Sequence, residues 1–557
     1  MKLLIIDNGN TAHAELMLRK ITERVEVTPV GGGLSVTLKV DGSIGVKESY
    51  RIVKENGGYT VTGSDALGLY YGVGRFLHTA IWTEDGFTPN PPEGTVTPHC
   101  TFRAIYFSVH NYNWYHLAPT EELVSYLEDM VLWGFNAIHC IVPVMNIYEI
   151  GDEIFKEGVR RARRLYTLAR KVGLKTSFGV NPNQGVLGSP HEFDADETTV
   201  KWKAGRNLCP SKPGAVAHLR TIWKAKLEEF RDIGLDYIHT WPYDEGGCSC
   251  DQCNPWGARK YVDVSLDFYR EAKRYYPDAE LIAATWCFDT QPVRSSEYAG
   301  FYDRLRSDLS GINYIMVDSH GDFPAYVLEH EVVKPVVNFP EISMWGLYPW
   351  GGFGANPLPK RFQRIWDSSK HVLKGGMPYS EGLYEDILKI QCLGYYWDPD
   401  RPYAEILGEY ISYEYGAEFI PEVLRLMELI EENHARVEAG DAPELSLAEE
   451  ALAIAESVNG RMLESRRTAW RWRILYIRAI LDLKRYRAYF ANGLSGKDGR
   501  YLVMRRSGVL LCEDAEAQSL FSELCETFHC VDYNGQNRWT HPPVGGGAPE
   551  DLDGTCR

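Results

Sequence analysis

The residues with the plainest capacity for chemistry are Asp244 and Glu245, adjacent carboxylates in the run Ile238-His239-Thr240-Trp241-Pro242-Tyr243-Asp244-Glu245-Gly246-Gly247-Cys248-Ser249-Cys250-Asp251-Gln252-Cys253. Glycoside cleavage needs a protonated carboxyl group near the leaving oxygen and a second group that stabilises the oxocarbenium-like transition state. Two separated carboxylates usually supply these. Immediate neighbours suit another solution, in which a sugar's own 2-acetamido oxygen attacks the anomeric carbon. Asp244 would then orient and charge-stabilise the acetamido group, and the longer Glu245 would serve as acid and then base. Two like charges this close also raise one pKa, which keeps one carboxyl protonated nearer neutrality. In an arbitrary chain an Asp-Glu pair is most often a solvated loop. Here it follows a strand-like aromatic segment and precedes a Gly-Gly turn, which favours catalysis.

The cysteines after the pair form a second constellation. Structural zinc takes four thiolate or imidazole ligands in a tetrahedron, and Cys248, Cys250 and Cys253 offer three from one loop. Cys209 is the first choice for the fourth and Cys287 the second. Bound zinc would pin the loop that carries the acids; free buried thiols or a disulfide are the alternatives. The chain has 12 cysteines in 557 residues, too sparse for a disulfide-stapled scaffold.

These residues need a scaffold, and the pattern from residue 101 onward is strand then helix, repeated. The candidate strands are Arg103–Val109, Ala137–Val142, Lys175–Val180, Asp236–Trp241, Leu281–Trp286, Asn313–Asp318, Pro335–Phe339 and a weaker eighth around Val372–Met377. Amphipathic helical stretches lie between them, among them Glu121–Trp133, Glu153–Val172, Ala215–Ile233 and Arg259–Tyr276. Closure into a (β/α)8 TIM barrel over residues 99–400 is the economical reading. Residues 1–98 read as a small α/β domain, alternating in the strand manner at Leu34–Val40 and Tyr59–Gly63 before a helix over Asp65–Leu77, and ending at the proline-rich link Pro89-Asn90-Pro91-Pro92. Residues 401–557 read as a C-terminal helical region, with helices over Glu418–Val437, Leu445–Val458 and Arg461–Tyr489 and an irregular tail from Val531.

In such barrels the active site lies at the C-terminal ends of the strands. Polar residues there are His110 and Asn111, Asn181 and Asn183, Asp244 and Glu245, Trp286 and Asp289, Asp318 and His320, Asn338 and Glu341, and Tyr379 and Glu381. The substrate-binding candidates are His110, Asn111, Asn181, Tyr243, Trp286, Asp318, His320, Asn338, Trp345, Trp350, Tyr379 and Glu381. Trp286, Trp345, Trp350 and Tyr379 are candidate walls, because aromatic faces stack on the apolar faces of sugar rings. Glu381 is the rival catalytic carboxylate, and its alternative is a helix-start acid favoured by the dipole.

Tyr243-Asp244-Glu245 is similar to the adjacent aspartate-glutamate pair after the fourth strand in glycoside hydrolase family 20. Asp65–Leu77 resembles the closing helix of the α/β domain that precedes the barrel in that family. The resemblance covers roughly residues 1 to 400. It implies retaining, substrate-assisted, exo-acting cleavage of a terminal β-linked N-acetylhexosamine, with Asp244 polarising the acetamido group and Glu245 as general acid/base. The chain lacks the family's usual His-x-Gly-Gly before the acid pair and adds the cysteine cluster, as a divergent relative would.

Composition agrees with a neutral ligand. A formal charge of −17 argues against nucleic acid or an anionic membrane as partner, and no apolar run approaches the ~20 residues of a membrane span. The N-terminal Met1–Asn10 has one lysine and too short an apolar stretch for a signal peptide, so a cytoplasmic protein is expected. No organic cofactor is expected, and oligomeric state is open, a homo-oligomer included. An α-glucuronidase-like or other two-carboxylate glycosidase is an alternative, although few arginines or lysines stand at the strand ends. A non-catalytic carbohydrate-binding barrel is the other, and the intact acid pair counts against it.

Overall fold

The computed structural model describes residues 1–28, 33–107, 118–142, 147–196, 206–243, 247–288, 295–307, 311–319, 321–343, 355–380, 386–496, 499, 503 and 510–527. An N-terminal mixed sheet has β1 (Leu3–Ile6), β2 (Leu34–Val40), β3 (Tyr50–Glu55), β4 (Gly58–Gly63) and β5 (Gly94–Val96), in the order β1-β2-β4-β3-β5. The helix Ala66–His78 packs on it and starts where expected, because the Asp65 side chain accepts a hydrogen bond from the Gly68 amide at 2.8 Å. A further helix, Thr11–Thr22, was not among the elements expected in this domain. Its buried positions His13, Leu16, Met17, Lys20 and Ile21 follow the helical period.

Eight parallel strands then close a barrel: β6 (Phe102–Phe107), β7 (Ala137–Ile141), β8 (Lys175–Val180), β9 (Tyr237–Thr240), β10 (Glu280–Ala284), β11 (Tyr314–Ser319), β12 (Val336–Ser343) and β13 (Leu373–Gly376). Each pairs with its neighbours in chain order, and β13 returns to β6 through Gly375 opposite Phe102 and Gly376 opposite Arg103. This last seam explains the weak eighth strand in the sequence. Gly375 has φ +134°, and a Cβ there would lie 1.7 Å from the Phe102 carbonyl oxygen, so a β-branched residue cannot occupy the position.

Helices cover the outside of the barrel, including Thr120–Leu132, Glu153–Lys171, Ala215–Glu228, Lys260–Ala272, Pro359–Ser369 and Asp386–Trp397. Beyond them the chain is helical, with Tyr403–Glu414, Ile420–Ala439, Leu445–Arg461, Trp470–Ala491 and Ala515–Thr527. The single helix expected over Arg461–Tyr489 is divided. Met462 and Ala469 are extended, so the chain turns there and Trp470–Ala491 packs back against Leu445–Arg461. The expected tail from Val531 lies outside the described residues.

Two polar networks tie these parts together. The Arg103 guanidinium, fully buried, donates to the carbonyls of Gly134 and Cys100 and to Glu48, in the turn before β3, at 2.6 Å. Farther out, Asp129 accepts from Lys20 at 2.7 Å and from Arg471 at 3.1 Å, and Arg471 also reaches Asp386 at 2.7 Å. Burial alone would push the Asp129 carboxyl up, but the two cations beside it hold it below its usual range. One network therefore joins the first helix, a barrel helix and the C-terminal helices. Removing one partner of a buried pair strands the others, so Arg471→Ala is expected to cost about 3–5 kcal/mol. Urea unfolding of the variant checks this, and a loss within ~0.5 kcal/mol would refute it.

Candidate active site at the barrel mouth

Side chains alternate along a strand, so one parity of each barrel strand faces the lumen. The lumen cluster contains Phe102, Ala104, Tyr106, Ala137, Tyr237, Trp241, Ile282, Ala284, Met316, Val337, Phe339, Met377 and Tyr379. His139 and His239 share that parity and are fully buried, with ring centroids 5.0 Å apart. His139 Nδ1 lies 2.9 Å from Ser177 Oγ on β8, and a Cβ on Gly179 would come within 2.6 Å of His139 Nε2, so glycine leaves room for that ring.

Toward the C-terminal ends the lumen becomes aromatic. Trp241 meets Trp286 at 5.7 Å and Phe339 at 4.9 Å, both edge-on, while Tyr379 meets Tyr106 at 4.7 Å and Phe339 at 4.9 Å. The inward parity also gives Asp318 on β11 and Glu341 on β12, both buried. Among the described residues, neither ring nitrogen of His239 nor the indole N–H of Trp241 finds a hydrogen-bond partner. Burial lowers the His239 pKa to about 3, which keeps the ring neutral.

Of the binding candidates, Trp286, Asp318 and Tyr379 belong to this mouth, and Asn181, half-buried, follows β8 in the inward register. Two candidates have other surroundings. Asn338 takes the outward parity and accepts a hydrogen bond from Ser319 Oγ at 2.8 Å, so it braces two strands from outside the lumen. Tyr243 packs with the layer around the barrel and donates its hydroxyl to buried Glu297. His110, Asn111, Asp244, Glu245, Asp289, His320, Trp345, Trp350 and Glu381 lie outside the described residues. Trp241, His139, His239, Tyr106 and Phe339 were not among the binding candidates; the two-residue period along their own strands, which puts Phe339 two before Glu341 and His239 two before Trp241, was the signal that could have found some of them.

Both flanks of the three residues Asp244–Gly246 are fixed. Before them, the Trp256 indole donates to the Pro242 carbonyl at 2.5 Å, and Tyr243 is held by Glu297. After them, Asn183, fully buried, forms a backbone clamp. Its Nδ2 donates to Gly247 O at 2.9 Å and Leu208 O at 3.0 Å, and its Oδ1 accepts from Gly247 N at 3.0 Å. Asn183 had been counted only as a polar strand end; its partners make it a positioning residue.

The segment after Gly247 is stitched to the loop that follows β8. Ser249 N and Oγ both donate across to Asp196 O, at 2.7 and 2.8 Å, while within the separate loops Cys209 N donates to Phe193 O at 2.7 Å and Cys253 N to Cys250 O at 2.9 Å. These bonds bring the sulfurs of Cys209, Cys248, Cys250 and Cys253 within 4.8 Å of one another. Cys287 is not in that group.

A cavity of about 250 Å³ lies elsewhere, between the N-terminal sheet and the barrel helices, lined among others by Tyr50, Arg75, His78, Trp397 and Glu409. Its charges are committed: Arg75 pairs with Glu409, and His78 stacks on Trp133 at 3.6 Å. The barrel mouth is therefore the better candidate for chemistry.

No family model matches the chain, and no curated protein matches it. Solved structures do. A GH138 enzyme targeting pectin rhamnogalacturonan II aligns with TM-score 0.58 at 13% identity, over 99% of this chain and 78% of its own. A GH89 enzyme from Clostridium perfringens, in complex with its substrate GlcNAc-alpha-1,4-galactose, aligns with TM-score 0.61 at 9% identity, over 94% of this chain and 65% of its own. A glycoside hydrolase family 20 β-N-acetylglucosaminidase aligns with TM-score 0.50 at 14% identity, over 74% of this chain and 92% of its own. At these identities the likeness is one of fold.

Two expectations follow from the site. Asn183→Ala removes three buried hydrogen bonds and is expected to cost about 2–3 kcal/mol, with faster exchange at the Gly247 amide, which the Asn183 side chain accepts from; unchanged exchange there would contradict the clamp. For His239 the native state binds its proton only near pH 3, whereas the unfolded state binds it below about 6.5. Its contribution is complete above pH 6.5 and is lost as pH falls, by about 1.4 kcal/mol per unit. Denaturant midpoints at pH 7 and pH 5 should therefore differ less in His239→Gln than in the wild type.

Proposed function

We propose that the chain is a glycoside hydrolase acting at the barrel mouth. The observation that carries this reading is the pairing of an aromatic-walled lumen, holding Asp318 and Glu341, with an acid-bearing loop anchored on both sides. Aromatic faces suit the C–H faces of a pyranose, and the Trp241 indole N–H, without a partner among the described residues, suits a sugar hydroxyl or acetamido oxygen. The described fold neighbours are glycoside hydrolases by their names, two of them with N-acetylglucosamine in the substrate or the activity.

Within that class we favour an exo-acting, retaining β-N-acetylhexosaminidase. Asp244 holds and polarises the 2-acetamido group as its oxygen attacks the anomeric carbon. Glu245 protonates the departing oxygen and then, as carboxylate, takes a proton from the water that opens the cyclic intermediate. Buried neutral His239 lies beneath Trp241, their ring centroids 4.6 Å apart, and offers a polar floor without a competing charge.

One observation favours a second reading. Glu341 carries the inward parity at the end of the seventh strand, opposite Tyr379 in register, and is 3% exposed. A carboxylate there could act as nucleophile with Glu245 as acid/base, giving a two-carboxylate retaining enzyme.

Hydrolysis of 4-nitrophenyl β-glycosides of N-acetylglucosamine and N-acetylgalactosamine, with the α-linked N-acetylglucosaminide and glucuronide in parallel, tests the class. The favoured reading expects release from a β-linked 2-acetamido sugar, a loss of about a thousandfold in Asp244→Asn, and a comparable loss in Glu245→Gln with poor leaving groups. Glu341→Ala rescued by azide as a glycosyl azide would instead establish the second reading. Wild-type rates in both Asp244→Asn and Glu245→Gln would refute the two readings together.

A further inference from the structure

We infer that Cys209, Cys248, Cys250 and Cys253 form a structural zinc site that staples the loop after β8 to the loop after β9. A tetrahedral thiolate set with metal–sulfur bonds of about 2.3 Å has edges of about 3.8 Å. The Cys209 sulfur lies 3.7 Å from both the Cys250 and Cys253 sulfurs, and all four sulfurs lie within 4.8 Å. A disulfide would need about 2.05 Å, and all four cysteines are free thiols. Their arrangement is convergent rather than incidental: three sulfurs come from the turn Cys248–Cys253 and one from a loop 39 positions earlier than Cys248, as the numbering gives.

The surroundings suit a closed structural site. Cys209, Cys248 and Cys253 are buried and Cys250 half-buried, and Ser211 Oγ lies 3.2 Å from the Cys253 sulfur, within reach to donate to a coordinated thiolate. Four sulfur ligands leave no open position for a substrate, so the ion would do no chemistry of its own. Thiolate-only tetrahedra select zinc over hard cations such as magnesium or calcium. What the ion supplies is a cross-link. The Asn183 clamp and the Ser249–Asp196 bonds already join the same two loops, and a metal would lock that seam directly beyond Gly247. The inference stands on sulfur geometry alone and is independent of the reading of the acid pair.

The test uses the full chain purified without added metal. Elemental analysis is expected to find about one zinc per chain, released by a mercurial that competes for its thiolates. Replacement by cobalt(II) should give the visible d–d bands of a tetrahedral thiolate site. Cys250→Ser, at the least buried ligand, should keep the barrel's circular dichroism and lose tight zinc binding. Stripping the metal should raise amide exchange over Gly247–Cys253 about tenfold or more and leave β6–β8 unchanged. Zinc well below stoichiometry with four free thiols, an intact mass lower by four hydrogens, iron in place of zinc, or full zinc retention by Cys250→Ser would each overturn the assignment. None of these readouts needs a substrate, so failure of the glycosidase reading and failure of the zinc site are told apart.

Discussion

The hydrogen bonds between the Asn183 side chain and the Gly247 backbone are the constraint on which the candidate site depends. A short loop carrying two carboxylates has many conformations, and an acid is useful only where its position is fixed relative to a bound ring. Asn183 fixes the far end of that loop with two bonds to Gly247 and is itself tied to Leu208 by a third, while Trp256 and Glu297 fix the near end through Pro242 and Tyr243. Gly247, at φ +113°, adopts the left-handed backbone that glycine tolerates.

That clamp is useful only because the barrel beneath it is closed and filled. The lumen has a polar floor of two buried histidines, with Ser177 beside His139, and an aromatic rim of Trp241, Trp286, Phe339, Tyr106 and Tyr379. Packing of this kind resists deformation, so the walls are set before a ligand arrives. The polar networks through Arg103 and Arg471 then bind the N-terminal sheet and the C-terminal helices to the outside of the same barrel.

Much of this was legible in the sequence because parallel strands buried on both faces read as short apolar runs. All eight barrel strands fall within a few residues of the expected spans, including the glycine-rich eighth, whose weak signal reflects the close approach of Gly375 to Phe102. Cys209 was chosen from its place in the preceding loop, and its sulfur does join the other three. What was not legible followed from parity and tertiary contact. Asn338 looks like a mouth residue by position, but one step in a two-residue period turns it away from the lumen. Tyr243 precedes the acids, yet its hydroxyl is claimed by Glu297, 54 positions downstream. The break expected between Val458 and Arg461 lies later, between Arg461 and Trp470, because the first helix runs on to Arg461 and the extended residues are Met462 and Ala469.

The most direct measurement is a crystal structure with the bicyclic thiazoline analogue of N-acetylglucosamine, which mimics the intermediate of acetamido attack. The account predicts the pyranose against Trp241 and Trp286, the thiazoline nitrogen within hydrogen-bond distance of Asp244, and Glu245 beside the anomeric carbon. The analogue bound away from the barrel mouth, or both carboxylates turned from it, would contradict the account.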